Sequence, residues 1–151
     1  MRRTDKEIKD RAEIEEILKS GRVCHLGLID DGLPYVVPVN YGYRDGCLYV
    51  HSAREGHKID ILRRNNVVSF SVYIDDCLVK SNVACNWGMS YRSVMGTGAA
   101  VLVDGREEKE QALRIIMRHY AGPGYAFEAS KIDSLLIIKI QIDILTGKKS
   151  G

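Results

Sequence analysis

Two Asp-Gly steps, Asp31-Gly32 and Asp45-Gly46, cut residues 23–52 into three short apolar runs, and this punctuation constrains the fold more than any other feature. Asp-Gly between alternating hydrophobic runs marks a tight hairpin, because the glycine accepts the positive φ that the turn demands. Residues 23–29, 34–43 and 48–52 therefore read as a meander of three strands. Residues 67–74 and 92–103, rich in Val, Tyr and Ser, continue the strand pattern, and residues 135–142 supply the last strand. Helical spacing is confined to three segments. Residues 5–20 align Ile8, Ala12, Ile17 and Leu18, with Thr4 as a cap and Gly21 as a stop. Residues 57–65 carry Ile59, Ile61 and Leu62, and residues 107–120 carry Ala112, Leu113, Ile116, Met117 and Tyr120. Six short, mostly antiparallel strands with few helices predict a mainly β fold, a closed or partly closed barrel rather than a doubly wound sheet.

A chain of 151 residues, 45% of them hydrophobic, is long enough for one core without staples. The expected layout is a single domain over residues 1–151: an N-terminal helix at 1–20, a barrel with covering helices at 21–145, and a frayed tail at 146–151. A net charge of +2 without like-charge blocks argues against nucleic acid and against a polybasic membrane anchor. The longest apolar runs, 99–103 and 135–138, are far too short for a membrane span, and no apolar region follows Met1-Arg2-Arg3. A soluble, cytoplasmic protein is expected. Cys24, Cys47, Cys77 and Cys85 are irregularly spaced, with no C-x-x-C and no zinc-finger histidines, so they read as small buried thiols of a reducing compartment, with no metal site.

Three stretches carry possible chemistry. In the first, Leu48-Tyr49-Val50-His51-Ser52-Ala53-Arg54-Glu55-Gly56-His57-Lys58, a strand runs through a polar loop into a helix that opens on cations. A helix start carries positive partial charge and disfavours Lys and His⁺. An anion held by free N–H groups, Ser52, His57 and Lys58, with Arg54 beside them, would reverse that penalty, and Gly56 would permit close approach. The alternative is that Arg54 and Lys58 point into solvent and Ser52 merely ends a strand.

The second stretch, Pro34-Tyr35-Val36-Val37-Pro38-Val39-Asn40-Tyr41-Gly42-Tyr43, has a proline inside a strand pattern. Pro38 cannot donate to a ladder and so marks an edge or bulge, where free backbone groups can read the rim of a flat heterocycle. Asn40 and Tyr41 would add side-chain contacts, or the tyrosines are half-buried strand aromatics. The third is Cys85-Asn86-Trp87-Gly88-Met89-Ser90-Tyr91-Arg92-Ser93-Val94-Met95-Gly96-Thr97-Gly98. Gly96 and Gly98 share a strand face and leave it open to something flat or to another backbone. Trp87 suits a subunit interface or the core, or could stack on a ring. His25 reads as a satisfied barrel histidine, His119 as a partner of a helix C-terminus, and Asp75-Asp76 as a turn. His51, beside the anion loop, is the histidine to which a function is assigned.

Taken together these stretches resemble the pyridoxamine 5′-phosphate oxidase-like, FMN-binding split-barrel family, and within it the nitroimidazole-resistance subgroup. The likeness runs nearly the full length. It is carried by Met1-Arg2-Arg3 with its acidic helix, the 34–43 stretch, Leu48-Tyr49-Val50-His51-Ser52-Ala53, Gly56-His57-Lys58-Ile59-Asp60, Tyr91-Arg92-Ser93-Val94-Met95-Gly96-Thr97-Gly98, and residues 140–148. The resemblance implies a six-stranded antiparallel split β-barrel forming a homodimer, with FMN in clefts between subunits. Ser52, His57 and Lys58 would contact the phosphate, and Val37, Pro38, Val39, Asn40 and Tyr41 would border the isoalloxazine ring, with His51 near it. Arg92 and Ser93 would come from the partner subunit or close the phosphate end. Two departures matter: residues 142–148 lack the basic carboxy-terminal grip of the true oxidase, and His57-Lys58 replace a pair of stronger cations. Pyridoxamine phosphate oxidation is therefore not implied.

The expected activity is that of a flavin-dependent oxidoreductase passing electrons from NAD(P)H to a small, flat, electron-poor acceptor such as a nitroimidazole or other nitroaromatic, with His51 as the catalytic residue. The alternative is a non-catalytic flavin- or haem-binding module for storage, sensing or delivery, with His51 or His119 as an axial ligand. A deazaflavin binder is a third reading, against which the short loop counts.

Overall fold

The computed structural model describes residues 3–151. One antiparallel sheet is built from β1 (Glu7–Ile8), β2 (Cys24–Asp30), β3 (Leu33–Val39), β4 (Gly42–Arg44), β5 (Cys47–Ala53), β6 (Val67–Val79), β7 (Gly88–Val103) and β8 (Leu135–Ser150). Its order is β3-β2-β6-β7-β8-β5-β4, with β1 added on β8. The six strands of seven residues or more are the six expected, and the short β1 and β4 extend them. No ladder joins β3 to β4, so the barrel is split rather than closed. Covering helices are α1 (Arg11–Ser20), α2 (His57–Arg64), α3 (Arg106–Tyr120) and α4 (Ala129–Asp133). Among the described residues no helix is long and apolar enough to cross a membrane.

Both Asp-Gly steps form the expected hairpins, with positive φ at Asp31 and Gly32 and again at Asp45 and Gly46. The three-strand meander does not form. β3 pairs only with β2, β4 pairs with β5, and β3 and β4 end up at opposite ends of the sheet order. The break falls at Asn40-Tyr41, because Tyr41 leaves the ladder: its N–H donates to Tyr120 Oη (3.0 Å) and its buried hydroxyl to Leu18 O (2.7 Å). The residues Asp75-Asp76, read as a turn, form a bulge within β6, with Asp75 at φ 57° and pairing resumed at Cys77.

The first helix starts at Arg11, six residues after the position expected. Asp10 caps it, accepting from Ala12 N (2.9 Å), while Thr4–Lys6 form a 3-10 turn and Glu7–Ile8 a strand. Ile8 is buried and pairs with Gly147, so core packing overrides helical spacing in this segment. Replacing Asp10 with Ala is expected to cost about 1 kcal/mol, read as a melting temperature lower by about 2–4 °C. The tail does not fray. Residues 146–150 pair with residues 91–95, and Lys6 Nζ donates to Ser150 Oγ (2.6 Å).

The main core lies inside the curled sheet, where Leu26, Leu48, Val50, Ile61, Val68, Val72, Ile138 and Ile140 meet. Ala112, Ile116 and Ile137 form a second cluster beneath α3. The cysteine reading needs correction: all four thiols are free, but only Cys24 is buried, and Cys77 and Cys85 are exposed in the β6–β7 arm. Burial pushes the Cys24 thiol up to about 12. Gly96 and Gly98 do not leave a bare face either. A Cβ on Gly96 would meet the Phe70 ring at 2.5 Å and Ile144 O at 2.7 Å, and one on Gly98 would meet Gln141 O. It is the backbone of β8 that lies there, and a register shift between Thr97 and Gly98 re-aims the strand.

Candidate functional site

Local chemistry decides how β5 passes into α2. Ser52 pairs with Leu136 and Ala53 with Leu135 on β8, after which Arg54 and Glu55 lead to Gly56. Gly56 adopts φ 125°, a conformation L side chains avoid, with open space where a Cβ would be. It occupies the N-cap of α2 without any side-chain cap, and its carbonyl accepts from Ile59 N (2.8 Å) and Asp60 N (3.1 Å). The N–H groups of His57 and Lys58 thus have neither an intrahelical partner nor a side-chain cap.

Lys58 is half-buried beside this opening. Burial pushes its ammonium below the usual lysine range, and no carboxylate counteracts the shift. His57 Nε2 stands 2.8 Å from Asp30 Oδ2, and its ring meets Tyr35 edge-to-face at 5.1 Å. Arg64 also holds Asp30, at 2.6 Å. The end of β2 is thereby docked on α2 at both its first and its last residue. Ser52 stands near the end of β5 and His57 and Lys58 open α2, whereas Arg54 turns aside to Asp104 and to Asp133 O (3.1 Å).

On β3 alternation separates the expected ring contacts. Pro38 and Asn40 are exposed, while Val37 is half-buried and Val39 buried against the core. Tyr41 is fully buried, and both its N–H and hydroxyl are spent internally, so neither is free to bond a ring. Pro38 does mark a sheet edge, since it lies opposite His25 and β3 has no second partner. His51 is exposed on β5 and, as a strand neighbour of Ser52, faces the other side of the sheet.

Arg92 and Ser93 lie elsewhere in the chain. They pair with Lys149 and Lys148, near the opposite end of the 16-residue β8 from Leu136, the partner of Ser52. The Arg92 guanidinium is held by Asp75 (2.7 Å) and Glu16 (3.2 Å), which raise it further above its ordinary value. His119 is also committed, with Nε2 2.6 Å from Gly21 O and its ring 4.7 Å from that of Tyr41. Trp87 is not core: it is exposed, and its indole N–H donates to Ser81 O (2.5 Å).

A shallow cleft of about 380 Å³ opens on the outer sheet face, lined by His25, Val36, Phe70, Met95, Ile144 and Thr146 among others. The exposure of Val36, Met95 and Ile144, each more than half open to solvent, was not foreseen. Its one sequence signal is that Met95 alternates with Val94, which faces the core. His25 belongs to this cleft, its ring nearly parallel to Tyr73 at 6.1 Å, and is not enclosed in the barrel.

Residues 10–149 match the pyridoxamine 5′-phosphate oxidase family. Among solved structures, a Bacteroides thetaiotaomicron protein ascribed to 5-nitroimidazole antibiotic resistance is 37% identical, with TM-score 0.85, covering 95% of this chain and 86% of its own. An FAD-binding protein from Mesorhizobium loti is 26% identical, with TM-score 0.69, covering 94% of this chain and 96% of its own. The flavocytochrome Anf3 from Azotobacter vinelandii shares the fold at 22% identity and TM-score 0.86, covering 100% of this chain and 72% of its own. No curated protein matches the chain. The split sheet, the uncapped start of α2 and a match over nearly the whole length converge: the chain belongs to the pyridoxamine 5′-phosphate oxidase-like split-barrel family, on the side of its nitroimidazole-resistance-type members.

Proposed function

We propose that this protein binds FMN and transfers electrons from NAD(P)H to a small electron-poor acceptor, a nitroimidazole or related nitroaromatic. The observation that carries this reading is Lys58, half-desolvated without a carboxylate partner at the uncapped start of α2. A phosphate dianion there accepts from the free N–H groups, from Ser52 and from Lys58, and restores to the ammonium the counter-charge that burial withholds. These residues fit the terminal phosphate of FMN. Exposed Pro38 and Asn40 on the free edge, with the backbone of Val37 and Val39, offer the ring a border.

The cleft is completed by a second copy of the chain. Arg92 and Ser93 are at the far end of β8 from Ser52, so they contribute to a flavin only across a subunit interface. The open edge at β3 and the exposed Val36, Met95 and Ile144 support a homodimer. Flavin held by these residues would supply the redox chemistry, a two-electron transfer from reduced nicotinamide to a nitro group, which with two protons would give a nitroso group and water. His51, exposed at the end of β5, is assigned the delivery of a proton to the acceptor. The nitroimidazole acceptor is supported by the 37% identity to the Bacteroides protein.

The test is titration of the purified protein with FMN, followed anaerobically by NADH or NADPH and then by a 5-nitroimidazole. One FMN per subunit, bleaching by the nicotinamide and return of colour with the nitro compound are expected. Failure to take up FMN overturns the reading; uptake without turnover leaves a flavin-storing module in its place.

A further inference from the structure

Lys109 is the one charged residue buried among the described residues, at 2% exposure. A buried ammonium is costly unless paired, and an apolar residue at such a position is often the more stable choice. Its Nζ donates to Asp104 Oδ1 (3.2 Å) and Leu135 O (3.1 Å). Asp104 is also gripped by both terminal nitrogens of Arg54 (2.7 and 2.5 Å), and Arg54 donates once more to Asp133 O (3.1 Å). Arg54 first and Lys109 second hold the Asp104 carboxyl down at about 2. Three chain junctions are tied at one carboxylate: the exit of β5, the β7–α3 corner, and the entry to β8.

The position of this knot is informative. Arg54 lies two residues before Gly56, and Leu135, whose carbonyl Lys109 holds, pairs with Ala53 beside Ser52. Gly56 has no side chain and nothing within 4 Å of where one would be, so it can swing between many backbone states. The chain needs an external anchor if the N–H groups of α2 are to face a fixed point.

We propose that Lys109 and Asp104, acting through Arg54, are positioning residues that hold residues 54–58 in the conformation that receives the phosphate of FMN. This inference rests on the reading that Ser52, Lys58 and the free N–H groups of α2 receive the phosphate. None of the three positioning residues touches the ligand, and their effect is felt through the loop.

Affinities of FMN and riboflavin, which lacks the phosphate, separate positioning from general stability. They are measured by flavin fluorescence for wild type, Asp104→Asn, Lys109→Met and Arg54→Gln. FMN affinity is expected to fall about tenfold in each variant, as for supporting residues one step removed from a bound group, while riboflavin affinity stays within about twofold. Arg54 is exposed enough for Arg54→Gln to fold even if Lys109→Met does not. Parallel loss of FMN and riboflavin, or no loss of either, overturns the positioning role. A wild-type protein that binds both ligands equally overturns the phosphate reading itself, and the positioning role with it.

Discussion

Lys58→Glu is expected to weaken FMN binding by about a hundredfold or more while leaving the ligand-free protein as stable as wild type or slightly more so. Loss of a charge-assisted contact to phosphate is worth about 1.5–3 kcal/mol, and a carboxylate in its place adds repulsion to the deficit. In the ligand-free protein the sign reverses. The lysine is partly desolvated with nothing to compensate it, and it sits at the positive end of a helix. A glutamate there interacts favourably with the helix dipole, by about 0.3–1 kcal/mol. Fluorescence titration with FMN and thermal melting of the flavin-free protein give the two readings. Unchanged FMN affinity removes the phosphate from the start of α2. Ser52→Ala is the milder companion, about fivefold weaker for one neutral hydrogen bond.

The second large effect concerns folding. Gly98 lies in β7, paired on both sides by β6 and β8, and a methyl group there would run into Gln141 O with the carbonyl carbon at 3.0 Å. The obstruction is backbone, which cannot rotate away. Gly98→Ala is therefore expected to cost about 3 kcal/mol or more, lowering the melting temperature by about 10 °C. Gly88→Ala is the control, since nothing lies within 4 Å of its Cβ position. It melts within about a degree or two of wild type. A Gly98→Ala protein melting with the control would mean that β8 can move aside at its bulge.

Local grammar was legible and long-range partnership was not. The hairpins at Asp31-Gly32 and Asp45-Gly46 follow from turn chemistry contained in the turn itself, and Pro38 identifies an edge because the missing N–H is a property of one residue. Ser52, His57 and Lys58 could be read as one loop for the same reason, since they are close in sequence. The ion pairs of Arg54 and Arg92 were not legible because their carboxylates are remote: Asp104 is 50 residues from Arg54, and Glu16 is 76 from Arg92. Without those partners each arginine looks like a free cation. Tyr41 shows the other limit. An aromatic at a strand end fits a ligand wall as well as a core, and only the carbonyl of Leu18 and the hydroxyl of Tyr120 decide between them. Lys109 was invisible because an amphipathic helix gives no sign that one lysine on it is buried.

The break between β3 and β4 has a mechanical consequence. The two outermost strands of the sheet order are consecutive in the chain, ending at Val39 and resuming at Gly42. A chain spans at most about 3.6 Å per residue, so the two rims are held within roughly 11 Å of each other at that point. The slit in the barrel is bridged by a covalent tether where hydrogen bonds are absent, and the side chain of Tyr41 anchors the tether inward on Leu18. Curvature of the sheet is thus imposed by chain length at one place, leaving the rest of the rim free to meet another molecule.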